Sequence, residues 1–114
     1  MHFDVRYERT GSVPLVAVSG EVDLATADLV RAALAETPCD QSVVIDLTEL
    51  SFIDCSGLRV LLDEHRRRSG RVYIVFAPDG ALARILEVSR ISHELRLYRD
   101  RDAAIWIARS GKFK

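Results

Sequence analysis

Two short runs of β-branched and aliphatic residues, at 43–47 and 72–77, most constrain the fold of this chain, because each precedes a segment with helical spacing. Such runs, bounded by turn formers, are typical of buried strands. Helical spacing of apolar residues is predicted over 24–36 and 58–69, and again after residue 80. The alternation predicts an α/β fold in which right-handed helical crossovers join parallel strands.

The two ends of the chain extend this sheet. Residues 3–19, which alternate between apolar and polar side chains at first, predict an opening hairpin. Residues 95–98 predict a last short strand, and Asp102 is the expected cap of a final helix. The predicted architecture is a mixed sheet of about four to five strands covered by about four helices. It occupies residues 1–109, with a flexible tail at 110–114.

Further signals predict helix ends and faces. Asp23 stands where the first helix needs an N-cap, and Leu29 and Leu34 share the apolar face of that helix. A basic run closes the second helix and predicts a solvated end beside the negative pole of the helix dipole. No aromatic stacking platform accompanies this run, so it does not indicate nucleic-acid binding. The run comprises Arg66, Arg67, Arg68 and Arg71.

Composition narrows the function classes. The 114 residues carry a formal net charge of -1 and 48% hydrophobic side chains, which is a globular composition without a basic field. Cys39 and Cys55 lack zinc-site spacing, and no apolar run approaches the roughly 18 residues of a membrane helix. The first residues lack the features of a signal peptide. We therefore expect a cytoplasmic protein with no cofactor, no bound metal, no membrane insertion and no nucleic-acid partner.

The most unusual stretch is 50–57, which connects a predicted strand to a predicted helix. Ser56 places a hydroxyl beside the free amides and the positive dipole end of that helix. Gly57 removes a side chain next to the hydroxyl, so that a partner's backbone can approach. Asp54 and Asp23 add negative charge if their two turns lie at the same sheet edge. This combination predicts a binding surface centred on Ser56.

Three segments of this chain, GEVDLAT at 20–26, DL at 46–47 and FIDCSGL at 52–58, resemble the STAS domain pattern of anti-sigma factor antagonists. The resemblance covers about residues 13–98. It implies that a serine-kinase anti-sigma factor phosphorylates Ser56, that the unphosphorylated form binds this kinase and frees a sigma factor, and that a phosphatase resets the cycle. No catalytic residue and no cofactor are implied. The partner-binding residues expected from the resemblance are Asp23, Thr26, Asp54, Cys55, Ser56, Gly57, Leu58 and Arg59.

Two positions depart from that pattern. Cys55 stands where the family often has a second hydroxyl residue, and Arg90 stands where it usually has a glycine-containing turn, which leaves the local loop undetermined. Structural readings also exist for several residues. Ser56 can be an N-cap alone, Asp46 can serve structural hydrogen bonds, and His65 can be a packed histidine.

Two alternative functions follow from the same residues. One is a STAS binding module of another system, such as a stress-signalling complex or a lipid-transport machine. The other is a thiol enzyme or redox sensor built on Cys55, although no recognised motif places His65 or His93 relative to that thiol.

Overall fold

The computed structural model describes residues 2–110. Its strands are β1 (Phe3–Thr10), β2 (Val13–Val22), β3 (Val43–Ile53), β4 (Val72–Val75) and β5 (Arg96–Tyr98). Its α-helices are α1 (Ala27–Ala35), α2 (Cys55–Arg67), α3 (Ala81–Ser89) and α4 (Arg101–Ser110), and a short 3-10 turn (Ser92–Glu94) precedes β5. Over this part of the chain, the predicted mixed sheet and four helices are confirmed.

The five strands form one sheet in the order β1-β2-β3-β4-β5. β1 and β2 form the predicted antiparallel hairpin, whereas the pairs from β2 to β5 are parallel. The predicted run 43–47 is buried throughout and lies at the centre of the sheet. β3 nevertheless continues to Ile53, because its second half pairs with the end of β2 through two register shifts. The sequence analysis did not predict this extension, because polar residues interrupt the apolar pattern after residue 47.

The helices divide between the two faces of the sheet. α1, α2 and α3 cover one face, where Leu34, Leu61 and Leu82 pack around Ile45 in the larger core cluster. α4 covers the other face, where small residues such as Ala104 let the helix lie close to the sheet. Buried side chains of the central strands therefore meet helices on both faces of the sheet.

Asp46 fastens α4 to the sheet. One carboxylate oxygen accepts hydrogen bonds from the amide and hydroxyl of Thr48 at 3.0 and 2.8 Å, and the other accepts from Nε of Arg101 at 2.9 Å. Burial raises the pKa of Asp46, but these hydrogen bonds and the Arg101 charge outweigh burial and hold it below its ordinary value. The structural role expected for Asp46 agrees with these contacts.

Helix starts differ from the sequence prediction at α1 and α4. α1 begins at Ala27 with Thr26 at the N-cap, so Asp23 precedes the helix instead of capping it. Leu29 is 54% exposed and does not belong to the inward face. At α4, Asp100 accepts a hydrogen bond from the amide of Asp102, so Asp102 lies within the first turn and is not the cap. The helix includes residue 110, while the rest of the predicted tail, 111–114, lies outside the described residues.

The guanidinium of Arg68 is completely buried, which corrects the prediction that the whole basic run is solvated. One terminal nitrogen donates to the carbonyl oxygens of Pro38 and Gln41 at 2.9 and 3.0 Å. The other donates to those of Leu34 and Thr37 at 3.0 and 3.2 Å, and to the Thr37 hydroxyl. These acceptors belong to the end of α1 and the loop after it, where carbonyls lack helical partners. Arg68 therefore caps α1 from α2.

Glu64 supplies the counter-charge for this arginine. Its carboxylate lies 2.7 Å from Nε of Arg68 and 2.7 Å from a terminal nitrogen of Arg67, and its side chain is 5% exposed. Burial raises the pKa of Glu64, but the hydrogen bonds from both arginines dominate and lower it. Breaking one member of such a pair leaves the other charge buried and uncompensated.

Arg90 resolves the loop that the sequence left undetermined. It follows α3 in the left-handed conformation, with φ of 59°, and its amide donates to the carbonyl of Leu86 at 3.2 Å. This closure is usually made by glycine, which adopts positive φ without a steric cost. The chain therefore carries local backbone strain at this position.

We predict that Arg90→Gly raises the free energy of unfolding by about 0.5–1 kcal/mol, because it relieves the positive-φ strain at an exposed site. Urea denaturation followed by circular dichroism measures the change. Val88→Gly is the matched control, since Val88 is exposed within the same helix and glycine there should lower stability by less than about 1 kcal/mol. A loss of stability in both variants would contradict the strain at Arg90.

We predict that Glu64→Gln lowers the free energy of unfolding by about 3 kcal/mol at neutral pH, because Arg68 loses its counter-charge. The pKa of Glu64 is below its ordinary 4.5, so its contribution is complete above that value and is lost as the pH falls through the folded-state pKa. Urea titrations should show that the difference in free energy of unfolding between wild type and variant becomes smaller as the pH falls from about 5 to about 3.

The control is Glu94→Gln, which removes an exposed partner of Arg66 and should change stability by less than about 1 kcal/mol. If the difference in free energy of unfolding between wild type and Glu64→Gln stays constant across the acid range, the Glu64 carboxylate is not the group that titrates.

Candidate functional site

β2 and β3 are parallel and end together, which brings their following loops to one edge of the sheet. Val22 pairs with Ile53 at the last register position, and the amide of Asp54 donates to the carbonyl of Val22 at 3.2 Å. Asp23 and Asp54, the next residue on each strand, are therefore neighbours in the fold. The two turns lie at the same sheet edge, which is the condition for Asp23 and Asp54 to add their charges together.

Asp54 caps α2. Its backbone is extended, and its Oδ1 accepts hydrogen bonds from the amides of Ser56 and Gly57 at 2.8 and 3.3 Å. Its carbonyl accepts from the amide of Leu58 at 3.1 Å. The helix consequently begins at Cys55, earlier than the apolar spacing predicted. The alternative in which Ser56 is the N-cap is wrong, because the neighbouring aspartate performs that role.

Ser56 thus lies in the first turn of the helix, with its amide held and its side chain half-buried. Among residues 2–110, its hydroxyl has no hydrogen-bond partner. The exposed side chains of Cys55 and Arg59 flank it on the same helix. A serine hydroxyl that neither caps nor closes a turn is available to a group from outside the chain.

The loop between β2 and α1 is fixed by reciprocal hydrogen bonds. Asp23 Oδ1 accepts from the amides of Ala25 and Thr26 at 2.9 and 3.2 Å. The Thr26 hydroxyl donates to the carbonyl of Glu21 at 2.9 Å and accepts from the amide of Asp23 at 2.9 Å. Because Thr26 is only 6% exposed, it shapes the loop from beneath, while Asp23 is half-exposed on the turn that adjoins Asp54.

Gly57 faces inward, which corrects the reason given for it from the sequence. A Cβ there would lie 2.7 Å from side-chain atoms of Ile53 and Val22, closer than carbon atoms pack. Glycine is therefore required by the approach of α2 to the sheet, not by access for a partner. Leu58 is 5% exposed and belongs to the core. The expected partner-binding residues thus separate into exposed or half-exposed side chains and the buried supports Thr26, Gly57 and Leu58.

Two exposed apolar side chains at this edge were missed by the sequence analysis. Leu24 is 80% exposed on the β2–α1 loop, and Phe52 is 48% exposed near the end of β3. Phe52 and Ile53 line a groove of about 260 Å³ together with Ala81, Arg84 and Ile85 of α3. Strand alternation carried the missing signal, since Phe52 precedes the buried Ile53 and must point away from it.

On its own helix, Cys55 has no histidine within reach. His65 lies on the same helix about 15 Å further along its axis, beyond hydrogen-bond reach. His93 lines a groove with His65, which lies near the other end of α2. Burial, followed by the nearby Arg96 charge, lowers the pKa of His65, which matches the half-buried histidine expected.

Residues 2–110 contain no cluster of three His, Cys, Asp or Glu side chains able to hold a metal ion. In the same part of the chain, no helix has the length and apolarity required to cross a membrane.

Comparison with known proteins agrees with this geometry. The family model described as STAS domain matches residues 4–104. An anti-sigma F factor antagonist of Paenibacillus polymyxa is 29% identical over 104 residues, which cover 86% of this chain and 88% of that protein. An anti-sigma-B factor antagonist of Listeria monocytogenes is 32% identical over 81 residues, 68% of this chain and 71% of that protein.

The crystal structure of an anti-sigma factor antagonist from Mycobacterium paratuberculosis superposes with a TM-score of 0.81, at 26% identity and 95% coverage of both chains. Family match, sequence relatives and fold thus agree, and the chain belongs to the STAS domain family.

Proposed function

We propose that this chain is an anti-sigma factor antagonist. It binds a serine-kinase anti-sigma factor through the edge that carries Ser56, and phosphorylation of Ser56 by that kinase ends the interaction. A phosphatase that acts on phosphoserine 56 restores the binding form. The names of the two sequence relatives support the class of partner. The cycle needs ATP and a sigma factor, and so belongs to the bacterial cytoplasm.

The observation that carries this proposal is the state of Ser56. Asp54 already satisfies the amides of Ser56 and Gly57. The fold therefore makes no use of the Ser56 hydroxyl among the described residues, while its first-turn position presents it at the surface. A modified hydroxyl changes the surface without removing a hydrogen bond on which the helix depends.

The transfer itself requires nothing catalytic from this chain. Ser56 Oγ forms a bond to the γ-phosphorus of ATP, the bond from that phosphorus to the ADP oxygen breaks, and the hydroxyl proton leaves to a base of the kinase. The product carries about -1.5 to -2 charge and three acceptor oxygens. It stands beside the carboxylates of Asp54 and Asp23, and a close-packed partner would have to desolvate it. Loss of the interface follows with little change in fold.

The surrounding surface is suited to a protein partner. Its exposed apolar side chains are Leu24 and Phe52, and Cys55 and Arg59 extend it along α2. Asp23 and Asp54 complete the contact set from the loops. Apolar anchors within a rim of polar residues are typical of protein interfaces. Thr26, Gly57 and Leu58 contribute by holding this surface in shape.

We predict that incubation with ATP and the cognate anti-sigma kinase adds one phosphoryl group to the wild type and none to Ser56→Ala, because the hydroxyl is the acceptor. Intact-mass spectrometry measures the addition. Ser51→Ala is the control, since Ser51 is exposed on β3 near the same edge and should leave the modification unchanged. A kinase that binds the chain but phosphorylates neither the wild type nor Ser51→Ala would favour the alternative function, a STAS module of another system.

We predict that Ser56→Asp weakens binding to the anti-sigma factor at least about tenfold, a change of about 1.4 kcal/mol, because it places a carboxylate in the interface. Titration calorimetry measures the affinity. Ser92→Asp puts the same charge on an exposed serine before β5 and should bind like the wild type. Equal weakening by both substitutions would mean that net charge, not the Ser56 edge, governs binding.

A further inference from the structure

Arg59 is the cation nearest to Ser56 along α2. It follows Ser56 by one helical turn, at the i,i+3 spacing that brings Cβ atoms to about 5–6 Å. Its side chain is exposed, and within residues 2–110 its guanidinium has no ion-pair partner. By contrast, Arg31 on the neighbouring helix is paired with Asp63 at 3.1 Å. Arg59 is therefore free to take a new anion.

The usual donors for an anion at a helix start are already engaged. The amides of Ser56 and Gly57 donate to Oδ1 of Asp54, and the amide of Leu58 donates to the Asp54 carbonyl. A phosphate on Ser56 can gain these amides only by displacing the aspartate that caps the helix. Side-chain donors are the alternative that leaves the helix start intact.

Other charged groups at this edge include two carboxylates and Arg84, which lies across the groove lined by Phe52 and Ile53. Asp54 at the helix cap and Asp23 on the adjoining loop repel a phosphate. On α3, a terminal nitrogen of Arg84 donates to the carbonyl of Asp79 at 2.9 Å. A guanidinium matches a phosphate with two parallel hydrogen bonds, which gives the pair both strength and direction.

We propose that Arg59 is the residue that receives the phosphate on Ser56, forming an i,i+3 pair along α2. This inference deepens the proposed function and rests on modification of Ser56. Pairing draws Arg59 out of the partner-binding surface, so that one phosphorylation alters two contacts at once. The phosphoserine keeps its position against α2, and the Asp54 cap remains in place.

The test uses the chain with phosphoserine introduced at position 56 during translation, so that it needs no kinase and no partner. Phosphorus NMR follows the second ionisation of the phosphoserine from about pH 4 to about pH 8, where this group titrates. Arg59 favours the dianionic form of the phosphoserine. We therefore expect the second pKa of the phosphoserine to be about 0.4 pH units higher in Arg59→Gln than in the parent. The difference should shrink in about 1 M salt.

Arg66→Gln is the control, since it removes an exposed arginine about 15 Å away along the same helix and should titrate like the parent. An Arg59→Gln chain that also titrates like the parent would overturn the pairing and assign the phosphate to other donors. The result is separate from the proposed function: a kinase assay can fail while the pair forms, and the pair can be absent while the kinase acts.

Discussion

The buried guanidinium of Arg68 is the interaction on which the rest of this fold depends. It donates hydrogen bonds to carbonyl oxygens at the end of α1 and in the following loop, and the carboxylate of Glu64 balances its charge. Without it, the carbonyls of Thr37 and Gln41 would lose their side-chain donor, and those of Leu34 and Pro38 would keep only loop donors. The loop that leads into β3 would lose the same anchor. Because α1 and α2 both begin at the Ser56 edge, the network at their far ends fixes the two helices that frame the site.

The site itself follows from strand direction and from one cap. Parallel pairing of β2 and β3 brings two aspartate turns to the same sheet edge, and Asp54 then starts α2 at the next residue. Inward-facing Gly57 allows the helix to approach the sheet closely. The surface position of Ser56 is thus a consequence of packing beneath it.

Much of this architecture could be predicted from the sequence because period and turn residues carry local information. The buried run at 43–47, the opening hairpin and the four helices depend on such patterns. The inward role of Gly57 and the burial of Arg68 could not, because both depend on what lies across the fold. An arginine in a basic run looks solvated until the carbonyls that it caps, far away in sequence, are placed beside it.

Site prediction shows the same division. The motif identified Ser56, Asp23 and Asp54 as site residues, because each stands in a short local pattern. Whether the two aspartates share one sheet edge depended on the pairing of β2 with β3, which the sequence left as a condition. Asp54 caps α2, whereas Asp23 holds the loop before α1, where Thr26 takes the N-cap position. No sequence periodicity distinguishes the two aspartates. Leu24 and Phe52 were missed because an apolar side chain near a strand end reads as core until its direction is known.

The separation of the α2 cap from the Ser56 hydroxyl has a consequence for the life of the protein in the cell. A switch residue that also capped its helix would be costly to modify, and the modified chains would unfold and be degraded more readily. In this chain Asp54 caps the helix, so Ser56 does not. If Ser56 is phosphorylated, the phosphorylated chain, which does not bind the partner, can remain folded and accumulate. The amount of the protein in the cell then does not depend on how much of it is phosphorylated.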